Sequence, residues 1–172
     1  VRSWAGWVYV AFILDVFSQR IVAWHAQTTK HVDLVMIPLR IALWERERQG
    51  HPVGPDQLRA HSDAGSQYTA IRYAERLADV GAIASIGTVG DSYDNALAES
   101  VVGLYKTECV KIDGPFRTAD ELELATLSWV HWFNELRLHS SIGYLTPLEK
   151  EHEYYREINS QDQPVLGELA LH

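Results

Sequence analysis

Residues 7–14, WVYVAFIL, run without a polar break into Asp15, and the chain turns apolar again over Arg20–His25. An eight-residue apolar run rich in Val, Ile and aromatics reads as a buried strand. Asp15 to Gln19 can form a turn, so the spacing predicts a β-hairpin. Asp15 itself has two readings. An acid at the end of a buried strand is where a metal-dependent nuclease places a ligand, and it is also an ordinary turn residue. Only 47 residues separate it from the next acid of interest, Asp63, which leaves both readings open.

Composition narrows the class. A chain of 172 residues supports one core. A hydrophobic fraction of 47%, an aromatic fraction of 10% and six Trp argue for a folded protein. The single cysteine, Cys109, excludes a disulfide framework and fits a reducing compartment. No apolar run approaches the ~20 residues that span a bilayer, and no secretory signal is visible. The expected setting is the cytoplasm, with no membrane. The net charge of −8 counts against gripping nucleic acid by bulk electrostatics. Local basic contacts, or carboxylates neutralised by metal ions, remain compatible with it.

Further along, His31–Gln49 reads as a helix with an apolar stripe through Leu34, Ile37, Ile41 and Trp44. Pro38 inside it predicts a kink or a late start. A loop follows over Gly50–Asp56, then a short strand over Gln57–His61 that ends at Ser62-Asp63. Thr69–Val80 has helical spacing and stops at Gly81, and Ile83–Ile86 can form another strand. A glycine-punctuated loop, GTVGDSYDN, leads to a helix over Asn95–Val110, with Asp94 as its expected N-cap. TADE at 118–121 is a capping box that opens a helix to about Leu136. TPLE at 146–149 repeats the device with Pro147 at the first helical position. Past Asn159 the tail turns polar. Strands first, then strands alternating with helices, give an α/β fold: a mixed sheet with helices on both faces.

Two carboxylates stand out. Asp63 falls just past a strand end, where open α/β sheets place ligand sites. Glu99 lies on the helix that follows the glycine-rich loop, with 35 residues between the two acids. That interval can bring the helix back over the strand. Carboxylates converging from separate elements are what Mg²⁺ requires, and two such ions about 4 Å apart can drive an in-line phosphoryl displacement. With 23 acids in the chain, spacing alone does not decide the matter. His61 could also bind metal, although a lone His beside a strand end, like His25, His31 and His51, is more often packed or hydrogen-bonded. Glu99, Val102 or Gly103, and Lys106 share a helix face. Lys106 could therefore meet a phosphate, or simply be solvated.

Three stretches at proper intervals, HSDAGSQY, VGDSYDNALAESVVGLYKTE and WFNELRLHSSIGYLTPLE, resemble the integrase-like catalytic core of bacterial insertion-sequence transposases of the second-reading-frame type, within the retroviral integrase superfamily. The resemblance covers Trp4 to about Tyr155. It implies a ribonuclease-H-like fold whose first strand is largely truncated here, with residues 1–150 as the core and 151–172 as a helix end and polar tail. It implies two Mg²⁺ or Mn²⁺ ions, and DNA cleavage followed by strand transfer without a covalent enzyme intermediate. Asp63 and Glu99 become the second and third members of an Asp, Asp, Glu triad, as catalytic residues and metal ligands. The family's first Asp stands directly before the residues that match Val1 onward, so the resemblance assigns Asp15 to the hairpin turn. It also makes these 172 residues inactive by themselves. Lys106 is expected near DNA. Asn134, Arg137 and His139 match the polar positions of an N..R.H signature, as DNA contacts, loop anchors or both. The implied partners are DNA (transposon ends and target), further copies of the chain, and an upstream helix-turn-helix region or protein. Two alternatives stand beside this: another nuclease of the same fold, and an inactive remnant serving as a DNA-binding or dimerisation module.

Overall fold

The structure, a computed structural model, describes residues 1–53, 59–61, 75, 77–79, 83–85 and 91–162. Asp63, most of the helix expected over Thr69–Val80, the loop before residue 91 and the tail past residue 162 lie outside the described residues.

The expected hairpin is formed by β3 (Tyr9–Leu14) and β4 (Ile21–Gln27), antiparallel, with Phe12 opposite Trp24 and Ile13 opposite Ala23. Ahead of it, β1 (Arg2–Ser3) and β2 (Gly6–Trp7) form a smaller antiparallel pair. A parallel pair follows, β5 (Arg59–His61) with β6 (Ile83–Ser85). Antiparallel and parallel pairing thus both occur. Among the described residues they form three separate two-stranded units, because no described strand bridges β3 and β5.

Strand alternation gives the β3–β4 hairpin two packed faces. Helix α1 (Asp33–Arg48) packs against both strands on one side. On the other, Val10, Phe12, Leu14 and Trp24 pack into the main core. The apolar stripe of α1 differs from the expected one. Leu34, Met36, Pro38, Leu39 and Ala42 are buried, whereas Ile41 and Trp44 are exposed. The helix runs through Pro38 and turns that residue inward. The Trp44 ring is instead covered from outside by the Arg48 guanidinium at 5.6 Å.

The second long helix, α2 (Asp91–Leu104), begins four residues before the expected Asn95. Asp94 is therefore inside the helix and is not its N-cap. Helical backbone continues through a π segment, Tyr105–Val110, and a last turn, Lys111–Asp113. Next come α3 (Ala119–Glu135), a 3₁₀ turn (Ser140–Ile142) and α4 (Pro147–Asp162). α4 passes through residue 150 as one uninterrupted helix. Both capping boxes form. Glu121 N–H donates to the Thr118 hydroxyl, and the Glu121 carboxylate accepts from the Arg117 amide at 2.7 Å. Thr146 and Glu149 cap each other reciprocally.

The core gathers Val8 from between β2 and β3, Ile21 and Ala26 from β4, Val101, Tyr105 and Cys109 from the α2 stretch, and Leu122, Trp129 and Phe133 from α3. Each of the large side chains contributes about 1.5–3 kcal/mol by leaving water. Phe12, Tyr105 and Trp129 meet edge to face or tilted, with ring centroids 5.1–6.0 Å apart. Among the described residues, no helix is long and apolar enough to cross a membrane.

Candidate active site

α2 places its two faces differently. Val101, Tyr105 and Cys109 point into the core, while Glu99, Val102, Gly103 and Lys106 lie exposed on the opposite side. The sequence-predicted acid and cation thus share one solvent-facing surface. No hydrogen bond or ion pair joins Glu99 to another described residue. α2 also packs against β5. The last residue of β5, His61, precedes Asp63 by two positions, so the strand that leads to Asp63 lies against the helix that carries Glu99. An exposed carboxylate with no partner among the described residues is a donor of the hard oxygen type that Mg²⁺ or Mn²⁺ takes. The described donors of the implied metal site reduce to this one carboxylate, and no group of three potential ligands occurs among the described residues.

The three polar positions at and just past the end of α3 prove to be unlike one another. Asn134 is 9% exposed, and its side-chain amide is fully used. Its Oδ1 accepts from the Ile21 amide and its Nδ2 donates to the Ile21 carbonyl, both at 2.9 Å. The side chain thereby imitates a strand partner at the start of β4. His139 is buried, with Nε2 on the Phe133 carbonyl at 3.2 Å. A carbonyl only accepts, so Nε2 carries the proton and Nδ1 faces the Arg137 guanidinium at 3.3 Å. Burial holds the imidazole below the usual histidine range, and the Arg137 charge pushes the same way. Arg137 is half-buried. It donates from Nε and Nη2 to the Glu108 carboxylate at 3.1 and 2.9 Å. Glu108 also accepts from the Trp129 indole at 3.2 Å. Sequence reasoning did not single out Glu108. Its partners are 21 and 29 positions away, beyond the reach of helical spacing.

Asp15 is a turn residue here. One carboxylate oxygen accepts from the Phe17 amide and the other from Arg46, both at 2.9 Å. Arg46 also lies 2.8 Å from the buried Glu151 carboxylate, poorly aligned as a hydrogen bond but close in charge. Arg20 donates to the same carboxylate. This ionic cluster joins the hairpin turn, α1 and α4, so Asp15 is committed to architecture.

Comparison with known proteins agrees with this layout. Two models described as integrase core domain match, one over residues 1–92 and one over residues 81–147. The chain belongs to the integrase core domain family. Integrase-core relatives include the putative transposase for insertion sequence element IS986/IS6110 of Mycobacterium tuberculosis (strain H37Ra), 45% identical over 97% of this chain and 59% of the relative. The transposase for insertion sequence element IS629 of Shigella sonnei is 43% identical over 94% of this chain and 52% of the relative. The InsF transposase for IS3A of Escherichia coli K12 is 30% identical over 89% and 51%. The chain thus spans between half and three fifths of the length of these relatives. A chain in the cryo-EM structure of the simian T-cell lymphotropic virus intasome, in complex with PP2A regulatory subunit B56 gamma, superposes with a TM-score of 0.59. At 16% identity over 83% of this integrase core and 48% of that chain, the likeness speaks to the fold, which is α/β and ribonuclease-H-like.

Proposed function

We propose that this integrase core is the catalytic core of an insertion-sequence transposase, a polynucleotidyl transferase that cleaves DNA and joins the freed 3′ end to a target. The observation that carries the proposal is the exposed Glu99, without a partner among the described residues, on a helix packed against the strand that leads to Asp63. Asp63 and Glu99 would hold divalent metal. Mg²⁺ or Mn²⁺, when bound there, would lower the pKa of the attacking oxygen and neutralise charge on the phosphate. Glu99 contributes one carboxylate from a rigid helix, which fixes its position relative to the strand end. Lys106, two turns along the same exposed face, would bind a phosphate and set the DNA's register without reading its sequence. Arg137, His139 and Asn134 would support the site from behind, by holding the segment after α3 to the π segment and to β4.

The resemblance implies a triad of acids, of which these residues supply the second and third members, Asp63 and Glu99. These 172 residues are therefore expected to bind Mg²⁺ weakly and not to join strands. The test is a strand-joining assay on a chain that carries all three acids, with labelled transposon-end DNA and Mn²⁺ or Mg²⁺. Asp63→Asn and Glu99→Gln should each reduce joining to background while circular dichroism stays unchanged. Normal joining by either variant would refute the assignment.

A further inference from the structure

The β1–β2 hairpin presents two tryptophans to solvent, Trp4 at 72% and Trp7 at 58% exposure. Two large aromatics left open on one short hairpin, unlike a single exposed ring, make the kind of surface that takes a partner. The backbone of this hairpin is anchored. The Trp4 main-chain amide donates to the Phe116 carbonyl at 2.9 Å, and the Ser3 hydroxyl closes the turn on the Gly6 carbonyl at 2.8 Å. Each indole is also accompanied by a cation. The Arg117 guanidinium sits 5.8 Å from the Trp4 ring, and Arg2 is directly opposite Trp7 in the antiparallel register, on the same face of the hairpin. Among the described residues, neither Arg2 nor Arg117 enters an ion pair. Glu121, four positions from Arg117, spends one carboxylate oxygen on the Arg117 amide.

We propose that this hairpin is a stacking platform for unpaired DNA bases, a single-stranded segment whose phosphates meet Arg2 and Arg117. In an otherwise acidic chain, cations that are unpaired among the described residues, beside two exposed indoles, complement a polyanion with exposed π faces. A single strand offers those faces, whereas a duplex hides them in its own stack. The proposal rests on the transposase-core reading and adds the form of DNA that the core holds.

The test is fluorescence anisotropy of a labelled 20-nucleotide oligo-dT with the 172-residue protein in EDTA, where no metal-dependent chemistry intervenes. Trp4→Ala, Trp7→Ala and Arg117→Ala should each weaken binding roughly 5- to 100-fold. Trp44→Ala serves as the control. It removes another exposed indole with an arginine over it, on α1, and should change nothing. Trp4→Phe should retain most of the affinity and Trp4→Leu should lose it, because only the former keeps a π face. Equal binding by the Phe and Leu variants would overturn the proposal, as would no oligo-dT binding by the parent protein. So would an alanine variant that dissolves a dimer in sedimentation while oligo-dT binding persists, since the indoles would then face a second copy. If these arms fail while Asp63→Asn and Glu99→Gln abolish joining, the platform falls and the transposase reading stands. If the arms hold while those carboxylate variants still join strands, the reverse is true.

Discussion

Asn134 illustrates how a single polar side chain can be worth more to the fold than a hydrophobic one. Ile21, at the start of β4, has a buried backbone N–H and C=O, and both bond to the Asn134 amide at 2.9 Å. Asn134→Ala leaves two buried backbone groups without partners, at about 1–3 kcal/mol each. A loss of about 2–5 kcal/mol in urea unfolding, with an unchanged m-value, is expected. A loss under 0.5 kcal/mol would show that water or a shifted backbone replaces the amide. The residue was legible in sequence as part of a polar signature, but its use was not. Its partner is 113 positions away, a separation at which no periodicity connects two residues. The Asp15 turn shows the same boundary within one side chain. Its bond to the Phe17 amide follows from local turn chemistry, while its bond to Arg46 depends on how α1 packs on the hairpin.

At the scale of elements, local signals succeeded where the determining contacts are local. Both capping boxes form because all their partners lie within four residues. The stripe of α1 was misjudged because helical periodicity leaves the phase of the buried face open, and contact with the hairpin selected Pro38 and Leu39 over Ile41 and Trp44. The helix that carries Glu99 raises a further question at Gly103, a residue that weakens a helix interior by about 0.5–1 kcal/mol relative to alanine. A Cβ built there meets no atom within 4 Å, so packing does not require glycine. The position lies on the exposed face between Glu99 and Lys106, where a bound strand would approach the backbone. Gly103→Ala is therefore expected to raise stability by about 0.5–1 kcal/mol, and Gly103→Gln to weaken DNA binding several-fold. Full DNA affinity in the glutamine variant would remove this face from the interface.

For the whole molecule, the net charge of −8 and a DNA-directed function are reconciled by where the cations are spent. Arg20 and Arg46 are tied to Glu151, Arg48 to Glu45, Arg137 to Glu108 and Lys150 to Glu153. These pairs hold α1, α4 and the segment after α3 in place and offer little to a phosphate. On the proposed DNA-facing side, three cations stand outside such pairs among the described residues: Arg2, Lys106 and Arg117. Each phosphate neutralised on a single strand releases about 0.7 of a counterion, and on a duplex about 0.9. Binding by this 172-residue protein should therefore have a slope of log K against log salt of about −2 to −3. Lys106→Gln should reduce its magnitude by about one contact's worth. A titration of labelled oligonucleotide across salt concentrations measures both. A slope steeper than about −6 would require a broad basic surface that this charge distribution does not supply. A slope unaffected by Lys106→Gln would take that lysine off the DNA. On the proposed reading, affinity beyond these few contacts would come from stacking and from metal-bridged phosphate at Asp63 and Glu99, which would tie the acidity of the chain to its chemistry.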